Sequence, residues 1–216
     1  MAFGRHNPLN KYYAYGIRNS FGIDFDPVNG NLWDTENGPE YGDEINLVKP
    51  GFNSGWNQIQ GIWRPMYGGE RGADYIAGTK SLNPSDQLVS FGGNGRYSPP
   101  EFIWKETVGP TAIKFLHSNK YGKDYKDDLF VGDVNNGHLY HFDLNKNRSG
   151  LLLNGPLQDK IADNQEELKN VIFATGFDNI LDLEVGPDGY LYVLSEGNNN
   201  VNIFKLMPTK SQDWNK

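Results

Sequence analysis

The sequence predicts an all-β protein built from repeated antiparallel units. The 216 residues include 26 glycines and 12 prolines, which is typical of a chain with many turns. Segments rich in aromatic and β-branched residues recur three times, each time in the order strand, turn, strand, glycine or asparagine loop, strand. No segment shows a long helical periodicity. Repeated antiparallel units of three or four strands favour a β-propeller.

The first unit shows how the residues specify each element. Residues 21–25 (FGIDF) are apolar at alternate positions, which predicts a half-buried strand, and residues 26–30 (DPVNG) contain the Asp, Pro, Asn and Gly of a turn. Residues 32–35 return as a second strand. After a tight loop at 38–42, residues 44–48 (EINLV) are predicted as the third strand.

Two later segments repeat this plan, while the connections between the units are irregular. Residues 57–99 are rich in Gly, Pro, Ser and Tyr, which predicts a loop-rich insertion between blades with one short outer strand at 87–91. Residues 163–170 (DNQEELKN) predict a helical turn or a solvated connection. The strands of the later units are predicted at 111–116, 128–132, 138–144, 181–185, 190–194 and 201–206.

The number of units bears on the domain organisation. Three units and part of a fourth predict that residues 1–216 form one partial β-propeller domain with three to four blades. A closed propeller has about 4 to 8 blades, and an open stack leaves sheet edges unpaired. We therefore expect the ring to be completed by a missing N-terminal half or by self-association of the chain.

Charge and cysteine content exclude several classes of function. The net charge of -7 and the pI near 5.1, without a Lys/Arg cluster, argue against a nucleic-acid partner. The chain has no cysteine, so disulfides and thiolate metal sites are excluded. No apolar run approaches the roughly 20 residues that a membrane-spanning helix needs. An acidic surface supports solubility and attracts cations.

Residues 15–56 contain the side chains and turns that most specifically indicate a binding site. An arginine can hold a carboxylate in a two-pronged contact or stabilise an oxyanion. Calcium takes oxygen ligands, which both a Gly-Pro corner with inward carbonyls and neighbouring carboxylates can supply. Simpler interpretations are a surface ion pair for the arginine, an ordinary turn for the corner and a solvated strand start for the carboxylates. These candidates are Arg18, Asn19, Gly38, Pro39, Asp43 and Glu44.

Motifs along the chain carry a family resemblance. They lie at residues 15–19 (YGIRN), 35–39 (TENGP), 43–46 (DEIN), 53–56 (NSGW), 108–111 (VGPT), 128–132 (DLFVG) and 185–193 (VGPDGYLYV). In this order they resemble the glucose/sorbosone dehydrogenases, six-bladed propellers related to the soluble PQQ-dependent sugar dehydrogenases. The resemblance covers nearly the whole chain and aligns it with the C-terminal half of a family member.

The resemblance implies a function and a set of site residues. The implied enzyme is an extracytoplasmic quinoprotein that oxidises the anomeric carbon of an aldose with hydride transfer to calcium-bound PQQ. Arg18 would be the catalytic residue of this half and would contact quinone and sugar together with Asn19. The carbonyls of Gly38 and Pro39 would hold the calcium ion. His117 falls near the position of a quinone-binding lysine of the soluble glucose enzymes.

The chain also departs from the family pattern. Where family members carry an Arg-x-Arg-Asp run that binds the quinone carboxylates, this chain has Asn179 and Leu181 in place of the two arginines. The general-base histidine of the family is expected on an early blade that this chain does not include. Each lost charge-assisted hydrogen bond removes about 1.5 to 3 kcal/mol of binding. The alternative is a non-catalytic propeller that binds a glycan, small ligand or protein and retains a structural calcium.

Overall fold

The computed structural model describes residues 11–63 and 88–208, and these confirm the all-β prediction. The helical turn predicted near residue 165 is formed as α1 (Gln165–Leu168). None of the described helices is long and apolar enough to cross a membrane. The strands are β1 (Ala14–Tyr15), β2 (Ser20–Phe25), β3 (Leu32–Glu36), β4 (Tyr41–Val48), β5 (Phe52–Asn53), β6 (Arg96–Tyr97), β7 (Phe102–Glu106), β8 (Pro110–Phe115), β9 (Leu129–Asp133), β10 (Leu139–Phe142), β11 (Ile161–Ala162), β12 (Ile172–Ala174), β13 (Asn179–Val185), β14 (Leu191–Gly197) and β15 (Asn200–Lys205).

Three sheets correspond to the three predicted units. Their strand orders are β11-β7-β4-β3-β2, β12-β10-β9-β8 and β13-β14-β15. In each sheet the three strands of the predicted unit are consecutive antiparallel neighbours. A smaller parallel sheet has the order β1-β5-β6. The sheets therefore have the local topology of propeller blades.

The insertion predicted at 57–99 is only partly described. Residues 64–87 lie outside the described residues. At 88–91, where an outer strand is predicted, the chain forms a bend and a turn, and the strand in this region is β6 instead. The segment then leads into β7, which is not among the predicted strands. Strand β7 pairs antiparallel with β4.

The large sheets stack through their first strands. Strand β8 lies between β2 and β13 and contacts both. Glycines permit this approach, because a Cβ added at Gly22 would lie 2.3 Å from the Thr111 carbonyl oxygen, and one at Gly132 2.3 Å from the Ile180 Cγ2. The cores on either side of β8 are aromatic and aliphatic. They include Trp33, Phe102, Trp104, Tyr140 and Phe142 on one side, and Phe130, Leu139, Ile180, Leu183 and Val193 on the other.

The two ends of this stack expose apolar side chains. Phe21, Ile23 and Phe25 alternate with residues that face β8, and they are 60%, 63% and 60% exposed. At the other end, Val201 and Ile203 of β15 are 65% and 72% exposed. Contiguous exposed apolar surface commonly marks an interaction site. Both end faces are therefore candidates for packing against another sheet.

Candidate functional site

Several of the predicted site residues meet at one end of β2. The segment between β1 and β2 carries Arg18 and Asn19, and it lies against the corner between β3 and β4 at residues 37–40. The backbone N–H of Asn37 donates to the carbonyl of Asn19 at 2.9 Å. The Asn37 side-chain amide donates to the carbonyl of Pro110 at 2.9 Å, which brings the start of β8 to the same end.

Arg18 is held in a defined position. Its backbone N–H donates to Oε1 of Glu36 at 2.6 Å, and its Nη1 donates to the carbonyl of Asn37 at 2.7 Å. The guanidinium carbon lies 5.4 Å from the centre of the Trp56 ring, a cation–π contact. An arginine has five N–H donors, and a single one of them is used in contacts with the described residues. The guanidinium is thus positioned and can still bind an anionic oxygen.

The Gly38–Pro39 corner is tightly constrained. The Gly38 N–H donates to Oδ1 of Asp43 at 2.8 Å, and a Cβ at Gly38 would lie 2.0 Å from the Tyr41 carbonyl oxygen. Among the described residues, no hydrogen bond is directed at the carbonyl oxygens of Gly38 or Pro39. Both oxygens are therefore available, and backbone carbonyls are ligands that calcium accepts.

Asp43 ties the corner to the next blade. Besides Gly38, it accepts the N–H groups of Val108 and Gly109 on Oδ2 at 2.7 and 2.8 Å. The residue is 1% exposed. Burial raises the pKa of its carboxyl group, and the three backbone donors oppose that rise. In this structure both oxygens of Asp43 are occupied by backbone donors.

Glu44 lies on the opposite face of β4 within a buried acidic cluster. The register pairs Glu44 with Glu36 and Asn46 with Asp34 across β3 and β4. The three carboxylates are between 1% and 2% exposed. Ser54 Oγ lies 2.7 Å from Oε2 of Glu36 and 3.4 Å from Oε2 of Glu44, so the two glutamates approach one hydroxyl group.

Burial raises the pKa values of the carboxyl groups in this cluster. It raises the pKa of Glu36 to about 7 and that of Asp34 to about 6. It also raises the pKa of Glu44 well above its ordinary value, and the neighbouring Glu36 charge adds to that rise. Oδ1 of Asp34, Oδ1 of Asn46 and Oε1 of Gln60 are buried acceptors without a donor among the described residues. The cluster therefore has more acceptors than donors and favours retained protons.

Glu44 is a sequence-predicted site residue, whereas its partners Asp34 and Glu36 are not among the predicted ligands. Asp34 and Glu36 occupy alternate positions of β3, as Glu44 and Asn46 do in β4. Alternate residues of a strand share one face, so an antiparallel register that pairs Glu36 with Glu44 brings all four side chains together. The alternation of these polar residues is visible in the sequence, but the cluster can be predicted only when the register of β3 and β4 is known.

The structure does not bring His117 together with Arg18. Strand β8 begins beside Asn37 at Pro110 and ends at Phe115, whose N–H donates to Asp24 near the far end of β2. His117 follows this strand, and its side chain is 67% exposed. Its Nδ1 lies 2.5 Å from Oδ1 of Asp127. His117 thus lies at the opposite end of the blade from the corner.

The start of β13 lies on the site side of the stack. The Thr111 hydroxyl donates to the carbonyl of Ile180 at 2.5 Å. A cavity of about 330 Å³ beside it is lined by Asp178, Asn179 and Glu196, with Gly197 and Asn198. Acidic and neutral side chains therefore occupy the region where the family pattern leads one to expect two arginines.

The fold and the site together define a class of protein. Antiparallel sheets of three or more strands, stacked face to face through their first strands, are the architecture of a β-propeller. The chain belongs to the Glucose / Sorbosone dehydrogenase family, whose sequence model matches residues 2–205. It is 29% identical over 188 residues to the aldose sugar dehydrogenase YliI of Escherichia coli (strain K12), covering 85% of this chain and 40% of that relative.

Solved structures show the same fold. A glucose dehydrogenase crystal structure superposes with a TM-score of 0.65 at 22% identity, covering 95% of this chain and 49% of the other. The PQQ-bound aldose sugar dehydrogenase of Streptomyces coelicolor superposes with a TM-score of 0.56 at 19% identity, covering 92% of this chain and 46% of the other. The chain therefore spans about half the length of the proteins it matches.

Proposed function

We propose that this chain provides the calcium corner and the arginine of a PQQ-dependent aldose dehydrogenase site. The observation that carries the proposal is the convergence of Arg18 and Asn19 with the Gly38–Pro39 corner at one end of β2. The free carbonyl oxygens of the corner fit calcium, and the hydrogen bond from the Gly38 N–H to Asp43 holds the backbone of the corner in place. Family membership supports an oxidoreductase that acts on a small sugar.

The residues of this chain would bind and orient rather than transfer protons. PQQ, when bound, supplies the hydride acceptor. Arg18 has further N–H donors besides the one that the Asn37 carbonyl accepts, so it can hold a carboxylate of the cofactor or a sugar oxygen in a fixed place. The exposed Asn19 adds amide donors and acceptors beside it. By the same family argument, we propose that the protein acts outside the cytoplasm.

A second candidate function is favoured by the surface near β13. Asp178 and Glu196 put negative charge beside Asn179, which opposes a ligand with several carboxylates. A calcium-stabilised propeller that binds a neutral glycan, a small ligand or a protein would tolerate this surface. The two candidates share the calcium corner and differ in whether PQQ binds.

Calcium is expected to raise the melting temperature of the protein. A ligand at 100 times its Kd that binds only the native state adds about 2.7 kcal/mol, which corresponds to about 5 to 10 °C for a chain of this size. Gly38→Ala is expected to remove the shift, because its Cβ would lie 2.0 Å from the Tyr41 carbonyl oxygen. Gly30→Ala strains the turn between β2 and β3, where Gly30 has a φ of +74°, but lies away from the corner, so it is the destabilised control that keeps the shift. Melting followed by circular dichroism measures both.

PQQ added to the calcium-loaded protein separates the two functions. We expect a further rise in melting temperature that Arg18→Ala removes while the calcium shift remains. Lys123→Ala, which deletes an exposed cation at the end of the blade that carries His117, should keep both shifts. A calcium shift without any PQQ shift would favour the non-catalytic propeller. The absence of both shifts in the wild-type chain would refute the calcium corner itself.

We also expect the chain to associate through the exposed face of β2 when its concentration rises. Ile23→Asp puts a charge at the centre of that face and should shift the population toward monomer, with little effect on folding because Ile23 is 63% exposed. Leu152→Asp changes a side chain that is 51% exposed and lies outside both end faces, so it is the matched control. Multi-angle light scattering reports the masses, and a wild-type chain that stays monomeric at every concentration would contradict the expectation.

A further inference from the structure

A second cluster of ligand-type side chains lies at the open end of the β9–β10 hairpin. Asp128 precedes β9, while His141 lies in β10 and Asp143 follows it. Nε2 of His141 lies 3.1 Å from Oδ2 of Asp128 and 3.8 Å from Oδ1 of Asp143. One ligand atom from each residue lies within 4.8 Å of the other two. None of these residues belongs to the corner that holds Arg18.

Two of the three side chains are fixed by packing. The side chains of Asp128 and His141 are 13% and 18% exposed. The imidazole ring lies 5.0 Å from the ring centres of both Tyr125 and Phe130, and 6.2 Å from that of Phe173. This aromatic surround sets the orientation of the ring, so its Nε2 is directed at the carboxylates before any ligand arrives.

The third side chain opens the cluster to solvent. The Asp143 side chain is 52% exposed. His141 and Asp143 line a cavity of about 380 Å³ together with Phe142, Leu157 and residues 152–155 and 170–171. The space next to the cluster can therefore hold water or an exchangeable ligand, which an ion with unfilled coordination positions requires.

Within the described residues, His141 is the cationic type of side chain that contacts the two carboxylates of the cluster. Among the described residues, no lysine or arginine forms a salt bridge with Asp128 or Asp143. Besides His141, the charged side chains that act on Asp143 are the carboxylates of Asp128 and Asp124. A bound cation would relieve this repulsion directly.

We propose that Asp128, His141 and Asp143 bind a divalent transition metal ion of the zinc type. Zinc binds imidazole nitrogen and carboxylate oxygen at about 2.0 to 2.2 Å, which in a tetrahedral site places the ligand atoms roughly 3.3 Å apart. The 3.1 and 3.8 Å separations lie on either side of that value. Calcium takes oxygen ligands, so the imidazole selects against it. The ion would link Asp128, which precedes β9, to His141 and Asp143 at the end of β10.

Zinc titration of the chelator-stripped protein, with calcium present in excess, tests the proposal by isothermal calorimetry. We expect one zinc ion per chain, and at least a tenfold weaker Kd in Asp143→Asn. Asp124→Asn is the matched control, because it removes the same charge from an exposed neighbour that supplies no ligand atom. Its Kd should stay within about threefold of wild type, since the charge acts through solvent.

Cobalt substitution gives an independent readout of the ligand set. The visible spectrum of the cobalt-loaded protein should change in His141→Gln, and metal-free melting curves report whether each variant is folded. Equal weakening in Asp143→Asn and Asp124→Asn would overturn the proposal, because charge alone would then explain binding. Unchanged zinc binding in Asp143→Asn, or its absence in the wild-type chain, would leave the three residues as a hydrogen-bonded structural cluster.

Discussion

Raising the pH from 5 to 8 is expected to lower the free energy of unfolding of this protein by roughly 3 kcal/mol. The cause is the buried cluster of Asp34, Glu36 and Glu44. Burial raises the pKa of Glu36 to about 7 from an ordinary value of 4.5, so between these values the folded state binds more protons than the unfolded state. Stability falls with rising pH wherever the folded state holds the extra proton. Glu44 acts in the same direction.

Urea unfolding at a series of pH values in a chelating buffer measures this dependence. Glu44→Gln removes one member of the coupled pair and is expected to flatten the curve and to stabilise the protein at pH 8 by about 1 to 3 kcal/mol. Glu106→Gln changes an exposed carboxylate on β7 and should leave the curve as it is. A stability that rises from pH 5 to 8 would contradict the prediction and would show that the cluster is already ionised in the folded protein at pH 5.

Asp43→Ala is expected to destabilise the protein by about 3 to 5 kcal/mol. The carboxylate accepts three backbone N–H groups, from Gly38, Val108 and Gly109, and its removal leaves these donors without a partner in a region where Asp43 is 1% exposed. The same change frees the Gly38–Pro39 corner, so the calcium shift in melting temperature should be lost as well. Chemical denaturation and calcium titration measure the two effects separately.

Asp43→Asn is the graded control for this prediction. The amide keeps one acceptor oxygen and the shape of the side chain, so its destabilisation should be about half that of the alanine variant. A loss below 1 kcal/mol in Asp43→Ala would mean that water replaces the carboxylate at all three donors. In that case the corner would not depend on Asp43, and calcium binding should survive the substitution.

Much of the fold follows from local sequence, and the missed parts depend on contacts between distant residues. The strands of the three units follow from alternation and turn residues, because neighbours in the chain pair in each hairpin. Strand β7 is different, since it joins β4 across the long 57–99 segment, and its Phe-Ile-Trp run at 102–104 favours a strand without specifying the strand with which it pairs. Sequence patterns do not specify which distant strand covers an edge.

The same distinction applies to the site. The proximity of Arg18 to the Gly38–Pro39 corner could be anticipated, because β2 and β3 form one hairpin that brings their outer ends together. The separation of His117 from the corner could also be anticipated, since the strand predicted at 111–116 advances about 3.3 Å per residue and carries the chain away from Pro110. The hydrogen bonds of Asp43 could not, because two of its donors lie more than sixty residues further along the chain, at Val108 and Gly109.

The alternation in β2 has a consequence for mutational tolerance. Gly22 and Asp24 face β8, so substitutions there should be harmful in any setting. Phe21, Ile23 and Phe25 face outward, and in this chain alone they should accept polar residues freely. In an assembly that covers this face, the same positions would become as restrictive as a core. A saturation scan of β2 can be performed on this chain alone and on the assembly. Tolerance to substitution at every second position in the chain alone, and at none in the assembly, would show that another sheet packs on this face.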